Sequence, residues 1–268
     1  MSDSVISLKH LEKSYGKKRV LNDVNLEVKK GDIYGLVGKN GSGKTTMFKV
    51  ILGLSEYNSG EIHVGDPEDS LDQGRSKTGF FVGQNFFSYL NAPQNLEYYR
   101  RLKNIKDSSE VQRVLELVGL ANVKTKVSGF SMGMRQRLGI ANAIMGNPEL
   151  LILDEPANGL DPTGIAGIRE LVQKLNEDLG MTILISSHIL GELQNTAKTF
   201  GVLNQGAIVK VLTEEDLRIA NNFVRLTVDD VEQARKVLAE AGIQIHNESY
   251  DKRSLEDYYF ELIGERKA

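Results

Sequence analysis

Residues 38–46, Gly38-Lys39-Asn40-Gly41-Ser42-Gly43-Lys44-Thr45-Thr46, combine glycines with a lysine and hydroxyls at G-x-x-x-x-G-K-[ST] spacing. Such a loop can turn backbone N–H groups inward around phosphate oxygens. A helix that begins at its end adds positive partial charge. Lys44 is spaced to reach β- and γ-phosphates, and Thr45 to offer a hydroxyl to Mg²⁺. A second set stands at 150–155, where Leu-Leu-Ile-Leu runs into Asp154 and Glu155. The apolar residues predict a buried strand with two carboxylates at its C-terminal end, where open α/β sheets bind ligands. Asp154 can orient Mg²⁺, directly or through water, and Glu155 can polarise a water for in-line attack on phosphorus. A strand ending in two acids is common by itself; beside a phosphate loop it acquires chemical meaning. The third set is Phe130-Ser131-Met132-Gly133-Met134-Arg135-Gln136-Arg137. Ser131 can cap the following helix. That makes an ordinary helix start, or a helix N-terminus presented to a phosphate on another subunit.

These residues need elements to hold them. Residues 5–9 alternate, as do Val24, Leu26 and Val28 with Asn25 and Glu27, so both stretches are predicted strands. An apolar run over 32–37 leads into the glycine loop, and 44–54 has a helical pattern. Further strands are expected at 61–64 and 78–83. The middle of the chain changes character, with helical spacing over 93–104, 108–119 and 132–146. Ser108 before Val111, Val114, Leu115 and Val118 reads as a capped amphipathic helix. Strands return at 150–153 and 181–186 around a helix at 163–179. Buried runs alternating with helices predict a parallel sheet covered on both faces. From about 213 a smaller alternation follows: helix 214–220, strand 223–228, helix 231–241, strand 243–246 and helix 254–263. It reads as a compact α+β appendage. No repeat and no low-complexity segment interrupts the chain.

The chain has 268 residues, enough at roughly 150 per domain for one large domain and a small addition. Hydrophobic residues are 40% and charged residues 26%, which excludes disordered, collagen-like and coiled-coil chains. There is no cysteine, hence no disulfide framework and no thiolate metal site. A net charge of -3, from 33 basic and 36 acidic residues, argues against an electrostatic nucleic-acid binder. No run reaches the ~18 apolar residues that span a bilayer, and residues 1–9 lack a signal-peptide core. The expected location is the cytosol, with any membrane role passing through a partner.

Taken together, the motifs resemble the ATP-binding subunit of an ABC (ATP-binding cassette) transporter over roughly residues 5–211. Residues 38–46 and 150–155 resemble its Walker A and Walker B motifs, and 131–137 its signature. Asn158-Gly159-Leu160-Asp161 resembles the D-loop, His188 the switch histidine, and Gln84 the Q-loop. Tyr15 falls where an aromatic stacks on adenine. The resemblance implies a P-loop NTPase (RecA-like) α/β core with an antiparallel β subdomain and a helical insertion at about 85–146. The cassette would span 1–212, and 213–268 would be an accessory α+β domain. It implies ATP and Mg²⁺, and two cassettes paired head to tail around two ATPs. Each ATP would meet the phosphate loop of one cassette and Ser131 and Gly133 of the other. Asp161 would couple the two sites. His188 would hold the γ-phosphate and Glu155. Gln84 would sense Mg²⁺ and relay closure. Thr45, Gln84 and Asp154 would face the metal. A transmembrane permease subunit would anchor the pair at the cytoplasmic face of the membrane.

The signature departs from the common Leu-Ser-Gly-Gly-Gln: Phe130, Met132 and Met134 replace its Leu, first Gly and Gln. Ser131 and Gly133 remain. The form F-S-x-G-M-x-Q-R-L is similar to bacterial exporters of the bacitracin, lantibiotic and antibiotic-resistance type, as is the ending Ser254-Leu255-Glu256-Asp257-Tyr258-Tyr259-Phe260. Some of those immunity cassettes carry Glu at the Q-loop, where this chain has Gln84. The alternatives are a soluble ABC ATPase acting on a macromolecular complex, and import in place of export. The soluble class usually has two cassettes in one chain or a coiled-coil insertion, and this sequence has neither. Phe86, Phe87, Tyr89, Tyr98 and Tyr99 follow Gln84, either as core of the helical insertion or as a groove for the membrane subunit. His10, His63 and His246 have no spacing that suggests a metal site.

Overall fold

A computed structural model of the chain describes residues 4–83, 86–219, 228, 230–243 and 245. The chain divides into two compact units, 1–217 and 218–268. In chain order the elements are β1 (Ser4–Tyr15), β2 (Lys18–Lys29), β3 (Ile33–Val37), α1 (Lys44–Ile51), β4 (Ser59–Val64), α2 (Leu71–Ser76) and β5 (Thr78–Phe81). The helical stretch α3 (Ala92–Leu102), α4 (Ser109–Leu117) and α5 (Met132–Ile144) follows. Then come β6 (Leu150–Leu153), α6 (Pro162–Glu177), β7 (Thr182–Ser187), α7 (Leu190–Gln194), β8 (Thr199–Asn204), β9 (Ala207–Thr213) and α8 (Glu214–Ile219). The described part of the second unit holds α9 (Val231–Glu240). The strands expected at 223–228 and 243–246 and the helix at 254–263 lie wholly or largely outside the described residues.

Two sheets build the first unit. One is antiparallel, in the order β2-β1-β4. The other runs β5-β6-β7-β3-β8-β9, parallel except for the β8–β9 hairpin at its edge. Strands β3, β6 and β7 are buried at every position, as a strand covered on both faces must be. Successive side chains point to opposite faces. Leu150 and Ile152 therefore join Met47 and Phe48 of α1 and Ile6 and Leu8 of the antiparallel sheet in one core. Leu151 and Leu153 join Leu138 and Ile144 of α5 and Leu171 and Val172 of α6 in the other. In β2, buried Val24, Leu26 and Val28 alternate with exposed Asn25 and Glu27, because that sheet faces water on one side.

The caps show how the helical stretch is set. Asn91 and Gln94 form a reciprocal capping box at the start of α3. Ser108 makes no capping bond through its side chain, contrary to expectation. The Asp107 carboxylate takes that role instead, accepting from the Ser109 N–H at 2.9 Å. A carboxylate also suits the positive end of a helix better than a hydroxyl. Strands β8 and β9 and helices α2 and α7 were not anticipated from the sequence.

Helix α5 meets β5 at Gly139, where an added Cβ would sit 2.2 Å from the buried Phe81 ring. Alanine gains up to about 1 kcal/mol of helix propensity over glycine. Overpacking a core costs ~1–3 kcal/mol, and at this separation the clash dominates. Gly139→Ala is expected to lower the thermal unfolding midpoint by about 3 °C or more. An unchanged or raised midpoint in calorimetry would show that the ring yields freely.

Candidate active site

The phosphate loop joins β3 to α1. Gly43 caps α1 in the left-handed region, at φ +114°, and a Cβ there would lie 3.0 Å from the Val20 carbonyl oxygen. A glycine answers both demands. Lys44 opens α1 and is only 4% exposed. Its Nζ donates to the carbonyls of Gly38 at 2.6 Å and Lys39 at 3.3 Å, and lies 3.1 Å from Glu155 Oε1. Ser42 Oγ is buried with no hydrogen-bond partner. A buried cation and an orphan hydroxyl in one loop suit an anionic ligand.

The acids stand opposite. Strand β6 lies next to β7, and β7 next to β3, so the ends of all three converge. Thr45 Oγ1 donates to Asp154 Oδ2 at 2.6 Å. Ser186 Oγ donates to Asp154 Oδ1 at 2.7 Å and accepts from the Glu155 N–H at 2.9 Å. Glu155 sits at φ +47°, an uncommon region for a non-glycine residue. His188 Nδ1 lies 3.0 Å from Glu155 Oε2. The turn bearing His188 is itself braced: Ser187 Oγ donates to Glu192 Oε2 at 2.6 Å and accepts from the Ile189 N–H at 3.0 Å.

A cavity of about 800 Å³ opens over this cluster. Of the expected site residues, Tyr15, Asn40, Gly41, Gly43, Lys44, Thr45, Thr46, Asp154 and Glu155 line it. Tyr15 is half exposed at its edge. Lys13 Nζ lies 4.6 Å from the Tyr15 ring centroid, and a hydrogen bond with Ser55 holds the phenol below its ordinary pKa. Gly38, Lys39 and Ser42 belong to the loop without lining the cavity, and His188 reaches it through Glu155. Ser131, Gly133 and Asp161 stand outside the lining. Ser131 Oγ caps α5 by accepting from the Met134 N–H, and Asp161 caps α6 by accepting from the Gly164 N–H. Gln84 lies outside the described residues.

Sequence reading missed Ser186, and it placed Gln136 and Asn158 in the signature and D-loop motifs without giving them a place at the cavity. Ser186 is the bridge between the two acids, and Gln136 and Asn158 line the cavity. The available signal for Ser186 was a polar residue ending an otherwise apolar buried run.

Residues 21–158 match the ABC transporter family. The chain belongs to that family. It is 37% identical to the bacitracin transport ATP-binding protein BcrA of Enterococcus faecalis, over 97% of this chain and 96% of that one. It is 40% identical to the lantibiotic transport ATP-binding protein SrtF of Streptococcus pyogenes, over 76% and 89% of the two chains. A dimeric ATP-binding cassette in a post-hydrolysis state, bound to ADP and Pi, superposes with a TM-score of 0.69 at 27% identity. That match covers 78% of this chain and 98% of the cassette. This ABC cassette is thus an ATP-binding and ATP-hydrolysing subunit with the P-loop NTPase fold, and the soluble-ATPase alternative is not favoured.

The chain of contacts from Thr45 to His188 gives the Ser186 hydroxyl a share in placing both acids. Ser186→Ala removes a hydrogen bond to a carboxylate, worth about 1.5–3 kcal/mol. Steady-state hydrolysis by Ser186→Ala is expected to show kcat reduced about tenfold or more, with KM within about twofold. A rise in KM with normal kcat would mean the hydroxyl serves ground-state binding only.

Proposed function

We propose that this cassette powers an exporter of peptides, antibiotics or other amphipathic compounds. The carrying observation is the convergence of Lys44, Asp154, Glu155 and His188 at one sheet edge, in a chain with a bacitracin-transport relative along nearly its whole length. In this reading residues 1–212 form the cassette, with a helical insertion at about 85–146, and 213–268 an accessory domain. Two cassettes, identical or not, pair beneath a transmembrane permease at the cytoplasmic face of the membrane. No helix among the described residues is long and apolar enough to cross a membrane. No nucleic acid takes part.

The residues divide the work as follows. Tyr15 stacks on adenine. The loop from Gly38 to Thr46 cradles the phosphates, with Lys39, Asn40, Gly41, Ser42 and Gly43 supplying backbone N–H groups and Lys44 its charge. Thr45 and Asp154 offer a hydroxyl and a carboxylate as hard oxygen donors, the set that suits Mg²⁺ held mainly by phosphates and water. Among the described residues no cluster of three or more His, Cys, Asp or Glu could hold a metal. Mg²⁺ supplies charge neutralisation of the phosphates when bound. Gln84 completes this side and relays closure toward the permease. Lys44 leaves Glu155 for the incoming phosphates. Glu155 then takes the proton of the attacking water at Oε1, while His188 holds Oε2. Ser131 and Gly133 of one cassette meet the γ-phosphate held by the other, and Asp161 links the sites. Dry closure strengthens each contact.

The aromatic cluster after Gln84 faces two ways. Phe86 packs on the core, whereas Tyr89 and Tyr98 are exposed at 65% and 48%. Phe87 joins them, with ring centroids 5.8 and 5.0 Å away. This exposed side is the proposed seat of the permease.

Glu155→Gln is expected to accumulate an ATP-bound dimer on size exclusion and to lower turnover at least about a hundredfold, the usual scale for loss of a general base. Normal turnover would falsify the base assignment. Lys44→Ala should weaken ATP binding about tenfold or more by removing a charge-assisted contact. The tagged chain, purified from detergent-solubilised native membranes, should carry a polytopic protein in fixed ratio, and Tyr89→Asp should lose it while still binding ATP. Recovery of ribosomes or DNA-bound proteins instead would overturn the transporter reading.

A further inference from the structure

We propose that Gln136 is a positioning residue, the polar pin that couples helix α5 to the turn carrying Glu155. Gln136 is 6% exposed and lies one turn beyond the capped start of α5. Its Nε2 points at the Asn158 carbonyl from 3.5 Å, and its Oε1 is buried with no donor. A buried amide left this poorly paired is destabilising. Packing alone would be served better by an apolar chain of equal length. The amide therefore points to a state in which its bond is made.

The surroundings say which movement makes it. The Asn158 N–H donates to the Glu155 carbonyl at 3.1 Å, and the Leu160 N–H to Ala157 at 3.2 Å. Residues 155–160 are thus tied into tight turns, with Glu155 at one end. The start of α5 lies against the other end. A Cβ built on Gly133 would stand 3.8 Å from Leu160 Cδ2, and one on Gly159 would stand 3.9 Å from Met132 Cε. These two approaches are apolar and tolerate sliding. The Gln136–Asn158 contact is polar and directional. At 3.5 Å it is slack by about half an ångström relative to an ordinary N–H···O bond. A small advance of α5 toward the turn takes up the slack, and further movement then pushes on Asn158 and through it on Glu155.

The inference rests on the proposed meeting of Ser131 and Gly133 with nucleotide held by the second cassette. On that reading, occupancy of one site moves α5, and the pin passes the movement to the base of the other site. The direction is set by geometry, since Ser131 caps the start of α5 and Gln136 is the first buried polar residue of that helix.

The test uses the full-length chain with Gln136→Met, which keeps the length and loses the amide, and Gln136→Glu, which keeps the shape and sets a carboxylate against the Asn158 carbonyl. Both are expected to lower kcat about tenfold with KM for ATP within about twofold, the pattern of an interaction made on the way to the transition state. Amide hydrogen exchange over 155–160 in ATP-saturated Gln136→Met is expected to run about threefold faster than in the ATP-saturated parent chain, with exchange in α5 unchanged. The Hill coefficient for ATP should fall toward one in both variants. The pin is overturned by Gln136→Met with parental kcat, or with parental exchange over 155–160. A parent chain that shows no cooperativity and no ATP-driven dimer overturns the two-cassette reading instead, and exchange and kcat still decide the pin.

Discussion

A buried ammonium sets the terms for the rest of the site. Lys44 is almost wholly removed from water, and an unpaired charge in such a place would cost several kcal/mol. The fold answers with two carbonyls from its own loop and one carboxylate from a neighbouring strand end. Each answer constrains the chain. The loop must curl until Gly38 and Lys39 turn their oxygens inward, and β6 must end within reach of α1. The same arrangement makes Glu155 a counter-ion in the nucleotide-free chain. Triphosphate oxygens offer the ammonium stronger acceptors in the same place. Nucleotide entry and release of Glu155 are then one exchange of partners.

The order of strands makes this possible. Strands β6, β7 and β3 are adjacent and parallel, although far apart in sequence. Each is followed by one part of the chemistry: Asp154 and Glu155 after β6, His188 after β7, and the phosphate loop after β3. Parallel strands place all these turns at one edge of the sheet. Helices α3 to α5 enter between β5 and β6, and β5 is an edge strand. So large an insertion leaves the three central strands undisturbed, and α5 still returns to cover one face of the sheet through Leu138 and Ile144.

The central strands and their polar ends were legible because burial on both faces writes itself as an unbroken apolar run. The outer parts lack that signature. Strand β9 is mostly exposed, and β8 carries Gly201 where a side chain would collide with Tyr34. Strand β8 pairs with β3 and forms a hairpin ladder with β9, pairings that burial on both faces does not announce at an exposed edge. Helices α2 and α7 are too short to display a period of 3.6. The loop lysine, the acid pair and His188 were found by type and spacing. Ser186 was not, because its role depends on strand β7 lying beside β6, and adjacency is a property of the sheet. The contact between Gln136 and Asn158 escaped for the same reason: the signature and D-loop motifs that hold them are remote in sequence and meet only when α5 packs back.

The unusual signature does not remove what a phosphate would need from α5. Met134 turns its side chain to the core, and its N–H is satisfied by Ser131 Oγ. That bond uses a lone pair of the hydroxyl and leaves the Ser131 O–H free to donate. The N–H groups of Met132 and Gly133 precede the first intrahelical bond and have no acceptor within the helix. Gly133 presents its N–H without a side chain beside it. Three donors at the positive end of a 13-residue helix therefore persist although the glutamine of the common signature is absent. What the replacement of the first signature glycine by Met132 does change is the face beside them. Met132 is half exposed and lines the nucleotide cavity. It brings an apolar, adaptable side chain to a surface that glycine would leave bare. On the proposed pairing of two cassettes, closure over nucleotide buries this thioether near the phosphates and helps exclude water.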